Sequence, residues 1–418
     1  MIGMDVQLAA TDIVKQLAKA GYKAYFAGGW VRDYLMGHPS EDIDIATDAP
    51  PDVILSLFPR TLLIGLAFGI VVVIVDGHQF EVATFRRDID YVDGRKPTSI
   101  ELATAEEDAS RRDFTINGMF YDPLEGVVHD FVHGADDIKR GVVRTIGDPD
   151  ARFVEDRLRM VRAIRFAARF GFVIDPDTQE AIAANADTLF PAVAIERVWQ
   201  ELKKMNKHPR FEMAMIEMHR LGLLQVIFPA LKDVHLKDIK QLVAAYKDYP
   251  EGAETVHYVM QLFPCATPQE AVDLCRYLHT SNAEGKLAEY LARMRHSIEN
   301  ESELAIADLT EWAHLYSHPE AKNTLYVIAA GLEENERKEF LAKHHRRIDL
   351  LQKHIERIVG KKPLVNAERL EKEGVLPGKR MGLLIKEAER IAIFHDLNDT
   401  EEVMKLLKAS DIWMKEEK

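Results

Sequence analysis

Strand signals in this chain stop near residue 145, and beyond residue 150 apolar positions recur at helical spacing down to Trp413. That division constrains the fold more than any other feature. It predicts an α+β chain: a small N-terminal head with a mixed or antiparallel sheet and helices, followed by a long all-helical remainder. Within the head, residues 23–27 form a short strand-like run ending in Gly28-Gly29. Residues 31–36 read as a short helix and 43–46 as a strand alternating with aspartates. Residues 52–58 read as a helix after Pro50-Pro51. Two β-branched and aromatic runs, 70–75 and 80–85, flank the hairpin signal Asp76-Gly77. Residues 88–110 lack periodicity, contain Gly94 and Pro97, and are expected to be a mobile loop. The first strong helix spans 153–170. No repeat or low-complexity segment is evident.

With 418 residues, the chain is long enough for two to four domains. No apolar run approaches the roughly 18 residues of a membrane span; the longest, near 62–75, is broken by Gly65 and Gly69. The amphipathic N-terminus has no basic start and no small-residue cleavage site, so no export signal and a cytoplasmic location are expected. Cys265 and Cys275 match no metal or disulfide pattern, which fits a reducing compartment. A formal charge of −14 argues against a nucleic-acid partner. However, thirteen arginines lie between Arg86 and Arg169, and a local basic surface on an acidic body suffices to bind phosphate.

Three constellations carry chemistry. The first is Gly28-Gly29-Trp30-Val31-Arg32-Asp33, followed by Glu41-Asp42-Ile43-Asp44. Paired glycines before a helix let the backbone approach a phosphate, and Arg32 adds a fork of donors. Asp42 and Asp44, two apart on a strand, present both carboxylates on one face and can bind Mg²⁺. Glu81, on the next hairpin, is within reach of the same ions, and Asp33 is expected to hold the loop. Taken singly, the glycines read rather as a strand-end turn and the aspartates as solvated edge charges; together, in this order, they favour metal and phosphate binding.

The second constellation is Arg111-Arg112-Asp113-Phe114-Thr115-Ile116-Asn117. Its arginines can bind a triphosphate or divide between the site and a salt bridge. Asn117 shares a face with Asp113 if the segment is helical. A surface ion-pair cluster is the alternative. The third constellation places Asp156, Arg159, Arg162 and Arg165 at three-residue intervals, a slowly drifting stripe on a helix. A carboxylate and a guanidinium one turn apart can read a base edge. Asp156 accepts from the exocyclic amine of cytosine or adenine, and Arg159 donates to the neighbouring ring acceptor. Uracil and guanine lack the matching pattern. Arg162 and Arg165 would bind nucleotide phosphates. An exposed face laced with ion pairs is the alternative.

The strings GGWVRDYLMG, EDIDIATDAPP, FEVATFR, RRDFTINGMFYDP and DFVHGADDIKRGVVRTIGDPDARFVEDRLRMVRAIRFAARFGF, in that order over residues 22–174, resemble the class II tRNA nucleotidyltransferase and bacterial poly(A) polymerase family. AIERVWQELKKM, at 194–205, is similar to that family's neck. The resemblance implies a catalytic head over 1–145, a helical neck with a nucleotide-selecting helix over 146–206, and a body and tail over 207–418 that bind tRNA. It also implies that Asp42 and Asp44 carry metal and that Gly29, Arg32 and Arg112 contact phosphate or sugar. Asp113 and Asn117 then lie in the ribose-contacting motif, and Asp156 and Arg159 select the base with help from Arg162 and Arg165. Residues 130–144 resemble the family's flexible segment.

The expected reaction is template-independent addition of C and A, from CTP and ATP, to an RNA 3′ end by two-metal in-line attack. Members of the family add CCA, CC, A alone or poly(A). Gly65-Leu66-Ala67-Phe68-Gly69-Ile70 is closer to the CCA-adding pattern than to an arginine-rich one, with Phe68 where His is frequent and Ile70 where Thr is frequent. A long segment at 88–110 is associated with adding A. A-only addition, a catalytically silent RNA-binding protein, and transfer to a protein or small molecule are the rival readings. No obligate protein partner, membrane association or HD-type phosphohydrolase motif is evident.

Overall fold

The computed structural model describes residues 2–38, 40–63, 69–91, 97–301 and 309–414. The chain divides into two compact units, Met1–Lys240 and Gln241–Lys418.

In the first unit the elements are α1 (Ile2–Lys19), β1 (Ala24–Ala27), α2 (Gly29–Leu35), β2 (Asp44–Thr47), α3 (Pro51–Leu57), β3 (Thr61–Leu62), β4 (Ile70–Val75) and β5 (His78–Thr84). There follow β6 (Arg86–Tyr91), β7 (Pro97–Leu102), α4 (Ala105–Ser110), β8 (Phe120–Asp122), β9 (Val127–His129), α5 (Gly134–Arg140) and β10 (Val142–Val143). The unit continues with α6 (Pro149–Glu155), α7 (Leu158–Phe170), β11 (Val173–Ile174), α8 (Pro176–Asn185) and α9 (Ile195–Asn206). Seven strands form one sheet in the order β3-β4-β5-β2-β1-β8-β9. Only the β2–β5 pairing is parallel, so the sheet is mixed.

Alternation along the strands gives the sheet two unlike faces. Phe26, Ile45, Val71, Val73, Phe80 and Val82 face α1, α2 and α3 in one apolar core, to which α1 contributes Val6, Ala10, Ile13 and Leu17. The other face carries Ala27, Ala46, Phe85, Ala109 and Phe120. Small residues there keep that side shallow near β1 and β2. The β4–β5 turn is made by Asp76 (φ 50°) and Gly77 (φ 83°), both in the left-handed region that matches strand twist.

Two local expectations need correction. Residues 88–110 are not a featureless loop: β6 and β7 pair antiparallel from Arg86↔Leu102 to Tyr91↔Pro97, and α4 follows. Hydrophobic periodicity reports a buried face, and a two-stranded ladder held by backbone hydrogen bonds has no need of one. The start of α4 was legible, because Thr104 and Glu107 form a capping box. The helix expected over 153–170 is in fact two. Asp156 (φ −147°) separates α6 from α7 and its Oδ1 accepts from the Leu158 N–H at 3.1 Å. Aspartate competes for nearby backbone donors and so favours a helix start over a helix interior. The segment Gly65–Phe68 lies outside the described residues.

The second unit is helical, with the long helices Asn282–Glu299, Glu334–Val359 and Lys379–Phe394. Capping boxes at Thr267 and Ser281 start two of its helices. No helix among the described residues is long and apolar enough to cross a membrane. His257 and His344 are fully buried here, and burial pushes both imidazoles down to about 4. Each folded-state value lies below that of the unfolded chain, near 6.5. Acidification from pH ~6.5 to ~4 therefore protonates the unfolded chain first, and stability falls across that window. Urea titrations at several pH values should show a shallower decline for a His257→Gln, His344→Gln double variant than for the parent chain.

Candidate active site

The shallow face of the sheet and the polar side of α7 enclose a cleft of about 390 Å³ in the first unit. Its lining includes Gly28, Gly29, Arg32, Asp44, Arg111, Arg112, Asp113, Asn117, Asp156, Arg159 and Arg162 from the three constellations, together with Phe166. Asp42, Glu81 and Arg165 are not part of that lining.

Gly28 leads from β1 into α2 at φ 66°, where a Cβ would also meet Arg112 Nη1 at 3.1 Å. On α2, the Arg32 side chain is buried and triply held. Its Nε donates to Asp33 Oδ1 at 2.8 Å and Nη1 to Asn117 Oδ1 at 2.5 Å, and its guanidinium lies 4.6 Å over the Phe170 ring. Asp33 also faces Arg169 at 3.5 Å, so it anchors the loop and helix from within.

Asp44 opens β2, and Asp42 precedes the strand. Parallel pairing of Ile45 with Val82 brings Glu81 beside Asp44 on the shallow face. Asp44 meets the solvent of the cleft, but protein atoms crowd its carboxyl. That desolvation, followed by the charges of Asp42 and Glu81 and opposed by Arg112, pushes its pKa up to about 6. Among the described residues, no three His, Cys, Asp or Glu side chains form a metal cage by themselves.

Asp108 receives both neighbouring arginines, Arg111 Nη2 at 2.7 Å on Oδ1 and Arg112 Nη2 at 3.0 Å on Oδ2. Asp113 Oδ1 accepts from the Phe114 N–H and from Asn117 Nδ2, while Oδ2 accepts from Arg162 Nε at 2.9 Å and Nη2 at 2.5 Å. Burial alone would raise the Asp113 pKa, but Arg162 and Asn117 outweigh it and hold the carboxyl at about 2. On the far wall, Arg159 Nη1 donates to Glu155 Oε2 at 2.7 Å, and Asp156 Oδ2 accepts from Arg197 Nη2 of α9 at 3.2 Å. Arg165 points away from the cleft: it is buried, pairs with Glu201 Oε2 at 2.5 Å and stacks 4.1 Å over Phe166.

The sequence reading passed over Asp108, Phe166, Arg197 and Glu201, and gave Glu155 no role. Asp108 and Glu155 stand three or four residues from their arginines and were findable as helical pairs. Arg197 and Glu201 lie 41 and 36 residues from their partners, and no local signal marks them.

Residues 24–144 match the family model described as the poly A polymerase head domain, and residues 171–234 match that of the probable RNA and SrmB-binding site of polymerase A. The CCA-adding enzyme of Geobacillus thermodenitrificans is 44% identical over 215 residues, 51% of this chain and 53% of that protein. The CCA-adding enzyme of Geobacillus stearothermophilus is 41% identical over 241 residues, 57% and 58% of the two chains. The chain thus spans about half the length of the curated relatives it matches. The crystal structure of the Bacillus stearothermophilus CCA-adding enzyme in complex with CTP aligns over 97% of this chain and 98% of that one, with a TM-score of 0.68 and 28% identity. Its head is thus similar to the poly A polymerase head domain, and its structure to that of a CCA-adding enzyme.

The Asp113–Arg162 pair ties the head to α7. The folded-state pKa of Asp113 lies below its unfolded value near 3.9. Its contribution is therefore present above pH ~3.9 and is lost as pH falls through about 2. Asp113→Asn should destabilise the chain by ~1–3 kcal/mol in urea at pH 7, and its acid unfolding limb between pH ~4 and ~2 should be shallower than that of the parent.

Proposed function

We propose that this chain is a template-independent RNA 3′-terminal nucleotidyltransferase that adds C and A, from CTP and ATP, to the 3′ end of tRNA. The supporting observation is that one cleft joins Asp44 to Asp156, Arg159 and Arg162. A carboxylate suited to metal, Asp44, and a polar wall suited to base recognition thus face a common space.

Magnesium commonly takes one or two carboxylates and completes its shell with water and substrate phosphates, so the Asp42–Asp44 pair fits it without a full protein cage. Asp42 and Asp44, with Glu81 beside them, would hold Mg²⁺, which would supply charge neutralisation and activation of the attacking 3′-hydroxyl. The chain's own groups account for the rest. Gly28 and Gly29 let the triphosphate approach the backbone, and Arg32, Arg112 and Arg162 donate to it. Asp113 and Asn117 border the ribose. Asp156, fixed by Leu158 and Arg197, accepts from the exocyclic amine of C or A, and Arg159, steadied by Glu155, donates to the ring. Arg165 acts on phosphate only through the fold, by fastening α7 to Glu201. In this reading residues 1–145 carry the transfer, 146–206 choose the nucleotide and 207–418 bind the RNA body. The two family models and the CCA-adding relatives support the same assignment.

The test is incubation of a tRNA lacking its terminal CCA with CTP and ATP, singly and together. Expected are C incorporation from CTP and full CCA only from both. Failure to use CTP would reduce the activity to A addition, and no incorporation from either nucleotide would end the proposal. Asp44→Ala should abolish incorporation with melting unchanged. Asp156→Ala should lose about 10- to 100-fold of the discrimination against UTP.

A further inference from the structure

An aromatic row runs along the shallow face of the sheet beyond the cleft. Pairing register aligns Asp44 with Ala27, Ala27 with Phe120, and Phe120 with His129, on the adjacent strands β2, β1, β8 and β9. Directly opposed residues share a face, so the side chains of Asp44, Phe120 and His129 rise from one side. At roughly 4.8 Å per strand, His129 stands roughly 14 Å from Asp44. Tyr25 fills in from β1, its ring 6.2 Å from Phe120 and 4.8 Å from His129.

The row ends at Phe131, whose ring is parallel to His129 within 8° at 6.4 Å and lies 6.5 Å from Phe120. Phe131 is 42% exposed. Its exposure is not that of a loose loop. The Asp130 carboxylate accepts from the N–H groups of Val132, Gly134 and Ala135 at 3.1, 3.0 and 2.9 Å, which fixes the turn carrying the ring. The row meets the cleft through a buried link: Phe120 is fully buried, and the cleft-lining Arg112 guanidinium lies 4.9 Å over its ring. Beyond it the sheet ends at β9.

We propose that Phe131, backed by His129, is a stacking platform for a base of the RNA strand shortly upstream of its 3′ end. The inference rests on the reading of the cleft as a nucleotidyl-transfer site. An RNA strand whose 3′-hydroxyl lies at Asp44 has its preceding nucleotides within the ~14 Å spanned by this row. A ring face accepts any base, which suits an acceptor strand whose sequence at a given distance from the 3′ end changes with each addition. The incoming base is not a competitor for the ring, since its edge is read by Asp156 and Arg159 on the opposite wall.

The experiment uses the full chain and a fluorescent tRNA acceptor-stem hairpin with a single-stranded 3′ end. Binding is read by anisotropy without nucleotide, and KM values for the hairpin, CTP and ATP are measured separately. Phe131→Ala should weaken hairpin binding about 5- to 100-fold and raise the hairpin KM in proportion, with the CTP and ATP KM values and the melting temperature unchanged. Phe131→Trp should restore binding. Unchanged hairpin affinity in Phe131→Ala would overturn the proposal. So would an effect confined to nucleotide KM, a loss that tracks a lowered melting temperature and is not rescued by Trp, or a parent chain that does not bind the hairpin. Because anisotropy needs no turnover, a Phe131-dependent loss of binding in a chain that incorporates no nucleotide would sink the nucleotidyl-transfer reading and leave an RNA platform standing.

Discussion

The bond between Asp113 and Arg162 ties the two walls of the cleft together. It joins a turn at the edge of the head to the middle of α7, and two donors of one guanidinium converge on one carboxylate oxygen. Around it, Arg32, Arg111, Arg112 and Arg159 crowd into the same small volume. Each guanidinium needs a carboxylate partner or the group would repel itself apart, and Asp33, Asp108 and Glu155 meet that need from behind the cleft. Ion pairs of this depth add little net stability over apolar packing, because desolvation offsets attraction. Their effect is geometric: each fork is held in one orientation by its carboxylate.

Aromatic rings do the packing that charge cannot. Phe166 and Phe170 stack within 5° of parallel, and the guanidiniums of Arg32, Arg162, Arg165 and Arg169 lie against them. A guanidinium is weakly hydrated and planar, so it can lose water to a ring face and still point its edge elsewhere. This is how α7 keeps so many cations on one side without a continuous run of acidic neighbours.

Much of the head was legible because its rules are local. The Asp76-Gly77 hairpin, the glycine turn before α2 and the helical remainder follow from backbone preference and apolar period. The cleft's own residues were legible because their order along the chain was informative. What stayed hidden depends on contacts distant in sequence. Nothing near Arg165 says that its partner is Glu201 on α9, and so its spacing with Arg162 suggested a shared phosphate role. The break at Asp156 was hidden differently: the apolar positions on either side keep helical spacing across it, and only the aspartate's appetite for the Leu158 N–H interrupts the backbone. The β6–β7 ladder escaped notice because backbone pairing leaves no periodic mark in the residues that make it.

The neighbourhood of β1 carries a consequence for how the protein comes into being. β1 is flanked by β2 on one side and by β8 on the other, and Ala27 must find Phe120 across roughly ninety intervening residues. Closing so long a loop is entropically expensive before any contact repays it, and such pairings slow folding. A growing chain can therefore assemble α1, β1 and β2 early, while α7 cannot close over the sheet until its own residues have emerged. Asp44 belongs to the part that can form early and Arg159 to the part that follows, so the cleft between them closes as a late event of biosynthesis rather than accumulating along the way.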